Sequence, residues 1–95
     1  MYARITKYQC DPSRLEEIIA KTDEIKAQVK AISGVVDIYS AWRADGSAIT
    51  TAIYENQAAA DASTAQVQAI WASLVDLLVG APEVETFENV EHMTG

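Results

Sequence analysis

Two segments of alternating polarity, joined by a tight turn, occupy the middle of this chain and restrict its fold more than any other feature. Residues 35–43 and 48–55 alternate, and the four residues between them are Ala-Asp-Gly-Ser. Asp-Gly between two alternating runs is typical of an antiparallel hairpin, since glycine accepts the positive φ that a tight turn needs. The sequence therefore predicts two adjacent strands connected through Gly46.

A helix is predicted on each side of this hairpin. In the first, apolar residues recur at helical spacing from Leu15 to Ile32, with charged residues between them. Two starts are open: Asp11 can cap the helix with a proline in its first turn, or Ser13 can cap it together with Glu16. Either start places the helix directly after the first strand.

The second helix is predicted to begin after Asn56 and to continue as an apolar stripe to Leu78, where a glycine and a proline follow. Strands are predicted over residues 2–10 and 84–93. The order strand, helix, strand, strand, helix, strand predicts one α+β domain over residues 1–95. Its topology is the ferredoxin-like βαββαβ type, a four-stranded antiparallel sheet with two helices on one face.

Alternation divides the strand residues between the two faces of this sheet. We expect the more aliphatic face to meet the helices. That face carries Ala3, Ile5, Val36, Ile38, Ile49, Thr51 and Ile53. The other face carries the four tyrosines of the chain and several polar residues: Tyr2, Arg4, Thr6, Tyr8, Asp37, Tyr39, Ala41, Arg43, Ala48, Thr50, Ala52 and Tyr54.

The tyrosine-bearing face has two interpretations. Either solvent covers it and the rings stabilise the strands as cross-strand pairs, or a second copy of the chain covers it. We favour the second, because a tyrosine ring buries apolar area while its hydroxyl keeps a polar partner. The sequence therefore predicts a twofold homodimer.

Charge excludes several classes of partner. The chain has 14 acidic and 7 basic residues and a formal charge of −7, and its lysines and arginines are scattered. Nucleic acids and anionic membranes need a concentrated basic surface, so neither is predicted as a partner. No apolar run approaches the ~20 residues that span a bilayer. With no signal segment evident at the N-terminus, a cytoplasmic location is expected.

Few residues are suited to acid–base, nucleophilic or metal chemistry. The chain has one histidine, His92, the fourth residue from the end, and one cysteine, Cys10, beside an aspartate. No glycine-rich phosphate loop, paired metal-ligand motif or serine elbow is present. The sequence therefore predicts no metal and no cofactor, and it leaves the roles of His92 and Cys10 open.

Four segments together resemble a known family. They are the strand ARITKY, the helix that ends at ISGV, the hairpin WRADGSAITTAIYEN and the helix opening ENQAAADAS. The pattern is similar to the dimeric α/β-barrel superfamily, and within it to the antibiotic-biosynthesis-monooxygenase-like group. The resemblance implies two sheets facing each other in a dimer, and one pocket per subunit, either between sheet and helices or within the barrel.

Haem-degrading members of that superfamily use an asparagine on the first strand, a tryptophan and a helical histidine. This chain has no asparagine in residues 2–10 and no histidine in either predicted helix. Haem degradation is therefore not predicted. The resemblance implies a dimer like the cofactor-independent monooxygenases, acting on a small aromatic or polyketide-like molecule, and the alternative is a non-catalytic dimer that binds a small ligand or serves as an accessory module.

Six residues are candidates for contact with a small hydrophobic or aromatic ligand. They are Arg4, Tyr8, Tyr39, Arg43, Tyr54 and Trp71. The arginines have two interpretations: they bind an anionic or phenolic ligand, or they pair with Asp37 on the same predicted face. Trp71 also fits the core stripe of its helix, while Trp42 shares the parity of Ile38 and is expected at the edge of the helix-facing side.

Overall fold

The computed structural model describes all 95 residues and contains four strands and three helices. The strands are β1 (Tyr2–Gln9), β2 (Val35–Trp42), β3 (Ser47–Tyr54) and β4 (Glu83–Phe87), and the helices are α1 (Leu15–Lys30), α2 (Gln57–Ala62) and α3 (Thr64–Ala72). All neighbouring strands are antiparallel, in the order β2-β3-β1-β4. The predicted ferredoxin-like fold is confirmed. None of the helices has the length and apolar character needed to cross a membrane.

Short polar side chains begin the helices as the sequence predicts. Asp11 accepts a hydrogen bond from the backbone N–H of Ser13 at 3.0 Å and so precedes the turn Pro12–Arg14 that leads into α1. Of the two predicted caps, Asp11 is therefore the one that acts, but it caps this short turn, and α1 itself begins at Leu15 without a side-chain cap. Asn56 accepts from the N–H of Ala59 at 2.8 Å and caps α2.

The second predicted helix is interrupted at Ser63, which the sequence did not indicate. The carbonyl oxygen of Ala60 accepts from the Ser63 hydroxyl at 2.9 Å, from the Thr64 hydroxyl at 3.4 Å and from the Arg4 guanidinium at 3.2 Å. These side chains compete for the backbone acceptor that a continuous helix would use at this point. The helix therefore divides into α2 and α3.

Two predicted boundaries are wrong at the C-terminal side. Regular α-helix ends at Ala72, and a single short turn, Val75–Leu77, follows in place of helix up to Leu78. The last strand ends at Phe87 and does not reach residue 93, because Phe87 already pairs with Ala3 near the start of β1, its only neighbour.

Gly46 joins β2 to β3 as predicted, with φ +90°. A Cβ atom there would also lie 2.3 Å from the carbonyl oxygen of Cys10. The hairpin tip therefore packs against the end of β1, and only glycine satisfies both constraints.

The two faces of β1 and β3 are exchanged relative to the prediction, whereas those of β2 are as predicted. In β1 and β3 the paired residues Arg4–Ala52, Thr6–Thr50 and Tyr8–Ala48 lie beneath the helices. The residues paired between them, such as Ile5–Thr51, point to the other side of the sheet, which we call the open face. It carries Ala3, Ile5, Lys7, Asp37, Tyr39, Ala41, Ile49, Thr51, Ile53, Glu83, Glu85 and Phe87.

The prediction that the aliphatic residues of β1 and β3 meet the helices is therefore wrong. It holds for Ile38 of β2, which shares the helix-covered face. The four tyrosines are also divided: Tyr2, Tyr8 and Tyr54 are on the helix-covered face, and only Tyr39 is on the open face. The reason lies in volume, since the small and polar residues under the helices leave a cavity that aliphatic chains would fill.

The solid part of the core is small and lies at one end of the sheet. Tyr2, Ile32, Ala52, Tyr54 and Ala60 form a buried cluster there. Only 12 of the 95 residues are buried in the chain as a whole, so the remaining space between sheet and helices is incompletely filled.

Candidate ligand-binding cavity

A cavity of about 520 Å³ separates the sheet from α1 and α3. This volume is within the range of ~300–1,000 Å³ that small-molecule sites occupy. Its floor is the helix-covered face, where Thr6, Ala48, Thr50 and Ala52 have short side chains. Its walls are long apolar residues of the helices: Leu15, Ile18, Ile19, Ile25, Val29, Val67, Ile70 and Trp71. The short side chains of the sheet do not reach the long side chains of the helices, and the space between them is the cavity.

Arg4 lies at the end of the cavity that adjoins the buried cluster. Its Nη1 donates to the hydroxyl of Tyr54 at 3.0 Å and its Nη2 to the carbonyl of Ala60 at 3.2 Å. The guanidinium carbon is also 5.3 Å from the centre of the Tyr54 ring, a cation–π distance. Tyr54 is fully buried, so the guanidinium is held by a rigid neighbour.

An aromatic pair lies farther along β1. The rings of Tyr8 and Trp71 meet edge to face, with centroids 4.9 Å apart. The Tyr8 hydroxyl shares a hydrogen bond of 3.1 Å with Thr50, whose hydroxyl also bonds Ser40 at 2.8 Å. Tyr8 follows Arg4 by four residues on a strand, which separates their Cα atoms by about 13 Å. The cavity thus offers a cationic end and an aromatic end to an elongated molecule.

The charges around the cavity are of one sign. Arg4, Lys26 and Lys30 line it, and no aspartate, glutamate or histidine does. The ion pair considered between Arg4 and Asp37 is absent, because the two residues lie on opposite faces of the sheet. An acidic chain therefore encloses a cavity with positive charge.

The structure brings together four of the six candidate residues. Arg4, Tyr8, Tyr54 and Trp71 line the cavity. Tyr39 is 69% exposed on the open face, and Arg43 is exposed beside the hairpin turn, so neither reaches it. Trp42, absent from the candidates, also lines the cavity. The sequence indicated this position, because Trp42 follows Ile38 by four residues on one strand and so lies on the same face.

The two residues whose roles were open are separated by the fold. His92 is exposed near the C-terminus, where its ring bonds the Thr94 hydroxyl at 3.2 Å, and it is outside the cavity. Cys10 lines the cavity and is buried, and this burial raises the pKa of its thiol. A raised pKa disfavours the thiolate, so Cys10 is unsuited to act as a nucleophile. No group of three or more potential ligands is placed to hold a metal ion.

The sequence matches no family model and no curated protein. Solved structures share its fold, among them a proposed antibiotic biosynthesis monooxygenase of Caulobacter crescentus, with TM-score 0.79 at 19% identity over 95% of this chain and 90% of that one. A second, from Nitrosomonas europaea, has TM-score 0.78 at 16% identity over 96% of this chain and all of its own, 100%. A Streptomyces coelicolor monooxygenase in complex with nanaomycin D has TM-score 0.72 at 15% identity, over 97% of this chain and 89% of that one.

These likenesses confirm, at the level of the fold, the resemblance to antibiotic-biosynthesis-monooxygenase-like proteins that the sequence predicts. Identities this low establish architecture, and activity has to be argued from the site itself.

Proposed function

We propose that this protein binds an aromatic molecule in the cavity between its sheet and helices and oxygenates it with no resident cofactor. The observation that carries the proposal is the cavity itself: about 520 Å³, apolar walls, and a few polar groups at fixed positions. That combination is what small-molecule sites have in common. The S. coelicolor monooxygenase of the same fold supports the class of ligand, since its structure holds nanaomycin D.

The chemistry balances when the substrate supplies the electrons. Anthrone serves as an example: its methylene carbon, between two aromatic rings, becomes the carbonyl of anthraquinone. One atom of dioxygen enters that carbonyl, and the other leaves as water with the two methylene hydrogens. The carbon loses four electrons and dioxygen gains four, so no external reductant is needed. The protein would bind and orient the substrate and exclude bulk water.

Anthrone is also the probe for the test. We expect bound anthrone to quench the tryptophan fluorescence of the protein, because Trp42 and Trp71, its only tryptophans, both line the cavity. An oxygen electrode and product absorbance should then record one anthraquinone formed for each dioxygen consumed, faster than in buffer alone.

A matched pair of variants locates the reaction. Ser40→Phe places a large ring in the cavity from the edge strand β2, and Val75→Phe places the same ring at a 62% exposed position outside both the cavity and the open face. Oxidation that Ser40→Phe slows at least tenfold and Val75→Phe leaves intact assigns the chemistry to the cavity. Equal rates in both variants would refute that assignment.

A second candidate function is a non-catalytic dimer that binds a small aromatic ligand. One observation favours it: no carboxylate or imidazole lines the cavity to accept a proton from a substrate. Saturable quenching by anthrone with no oxygen consumption above the buffer rate would select this function over the first.

We further propose that the open face joins two copies of the chain. Large apolar side chains are exposed on this face, Tyr39 by 69%, Phe87 by 46% and Ile49 by 36%, although it also carries Lys7, Asp37, Glu83 and Glu85. Exposed rings and aliphatic side chains on one sheet face are a usual feature of an interface, and twofold dimers are the commonest oligomers. The cytoplasmic location predicted from the sequence remains part of the proposal. Light scattering on a size-exclusion column should give twice the chain mass of 10.3 kDa at micromolar concentration.

A further inference from the structure

The cavity differs in charge from the rest of the molecule. The chain carries a net charge of −7, yet the charged residues lining the cavity are Arg4, Lys26 and Lys30, all cationic. Lys26 has an acidic neighbour on the helix surface, Asp23, at 3.7 Å. Arg4 has none, since no carboxylate oxygen lies within 4.0 Å of it. A half-buried guanidinium therefore faces an apolar space with only neutral partners.

Arg4 also retains unused hydrogen-bonding capacity. A guanidinium has five N–H groups and no means of losing its charge in a protein. Two of the five donate to protein acceptors, the hydroxyl of Tyr54 and the carbonyl of Ala60. Three are left without a protein acceptor. A charged group that is partly removed from bulk water is stabilised by an opposite charge, so an anion is the ligand that this site favours most.

We propose that the cavity selects an aromatic anion, with its charged oxygen bound at Arg4 and its rings directed along β1 toward Tyr8 and Trp71. This inference rests on the proposed function and names the form in which the ligand is bound. The anion is a phenolate or carboxylate on a body of two or three rings, which matches the spacing of about 13 Å between Arg4 and Tyr8.

The absence of acidic and imidazole side chains in the cavity has a chemical consequence. The titratable groups that line it, besides Arg4, are Tyr8, Tyr54, Cys10, Lys26 and Lys30. None is a carboxylate that would repel an anion or take its proton. A phenol must therefore lose its proton to water as it binds, and Arg4 stabilises the product. A phenolate gives up electrons more readily than its phenol, so the same contact would prepare the ligand for reaction with dioxygen.

The probe for this inference is 4-nitro-1-naphthol, whose phenolate absorbs visible light and whose phenol does not. Bound to the wild-type protein, its ionisation midpoint should fall by one pH unit or more below that of the free probe, as an opposite charge at hydrogen-bonding distance requires. Calorimetry should give a dissociation constant at least tenfold lower than for its methyl ether, which cannot ionise. 1-Naphthoate, titrated in parallel, should also bind more tightly than the ether if carboxylates share the site.

Arg4→Met should abolish both effects, and Arg43→Met is the matched control. The control removes the same charge from an exposed position outside the cavity and should leave both effects intact. The wild-type midpoint needs no variant, so it decides the question even if Arg4→Met fails to fold.

An unshifted midpoint, or equal affinity for the naphthol and its ether, would overturn the anion selection while leaving the ligand-binding function standing. Failure of the naphthol, the ether and the naphthoate to bind would overturn both proposals together.

Discussion

The two faces of the sheet are built from the same strands but differ in what covers them and in the side chains they carry. The helix-covered face has short and polar residues at its centre, and the space above them is the cavity with Arg4 at one end. The open face carries isoleucines and aromatic rings that no element of the chain covers. A face that a protein covers with its own helices can remain partly empty for a ligand. A face without such cover has to be apolar enough for a partner.

The largest effect is expected from a substitution that disrupts the proposed dimer at the open face. Ile49→Glu places a carboxylate in the proposed interface, where burial without a partner costs several kcal/mol. We expect the protein to become monomeric at micromolar concentration and to remain folded, since Ile49 is 36% exposed in the single chain.

The control for that change is Val75→Glu, which adds the same charge at a 62% exposed position outside the open face. Light scattering should report a dimer for the control and a monomer for Ile49→Glu. A dimer in both variants would show that the open face is not the interface.

The second effect acts on the helix-covered face. Tyr54→Phe removes the hydroxyl that accepts from Arg4, and a lost hydrogen bond to a charged group costs about 1.5–3 kcal/mol. Urea denaturation should show this decrease in the free energy of unfolding. Tyr39→Phe makes the same chemical change on the open face and should leave stability unchanged when both variants are compared in the Ile49→Glu background, where that face is uncovered.

A smaller effect is expected from removing the cap that positions α2 over the sheet. Asn56 caps α2, the helix whose Ala60 carbonyl holds Arg4. Asn56→Ala should lower the free energy of unfolding by about 1 kcal/mol, the usual value of an N-cap. Asn89→Ala, at an exposed position that caps no helix, should have no measurable effect.

The smallest effect concerns the turn that aligns β2 with β3. Hydrogen bonds from the hydroxyl and N–H of Ser47 lower the pKa of Asp45. A carboxyl with a lowered folded pKa stabilises the protein above its unfolded value, about 4, and loses that contribution as pH falls through the folded value. Stability should therefore decline less steeply below about pH 4 in Asp45→Asn than in the wild type. An identical acid profile in chemical denaturation would contradict this role.

Local features of this fold were predictable because short-range chemistry decides them. The Asn56 cap, the glycine turn at residue 46 and the helical stripe of α1 depend on residues within a few positions of one another. The interruption at Ser63 was not predictable, because one of the groups that occupies the Ala60 carbonyl is Arg4, 56 residues away in the chain.

The candidate site was predicted in part for the same reason. Arg4, Tyr8 and Tyr54 were grouped correctly, since alternation along paired strands places them on one face. Tyr39 was placed with them and lies on the opposite face, because the turn pairs Trp42 with Ala48 and therefore Tyr39 with Thr51. Which residue of β3 lies opposite each residue of β2 depends on the geometry of the turn, and alternation within one strand does not reveal it.

The sequence by itself determined the order of elements, the Asn56 cap, the hairpin and the alternation within each strand. Only the tertiary structure decided which of the alternating residues lie under the helices and that a cavity remains there. The physical reason is that alternation along a strand divides its side chains between two faces but does not specify which face packs against the helices. That assignment follows from how the helices cross the sheet and how much volume they leave between their long side chains and the short ones below.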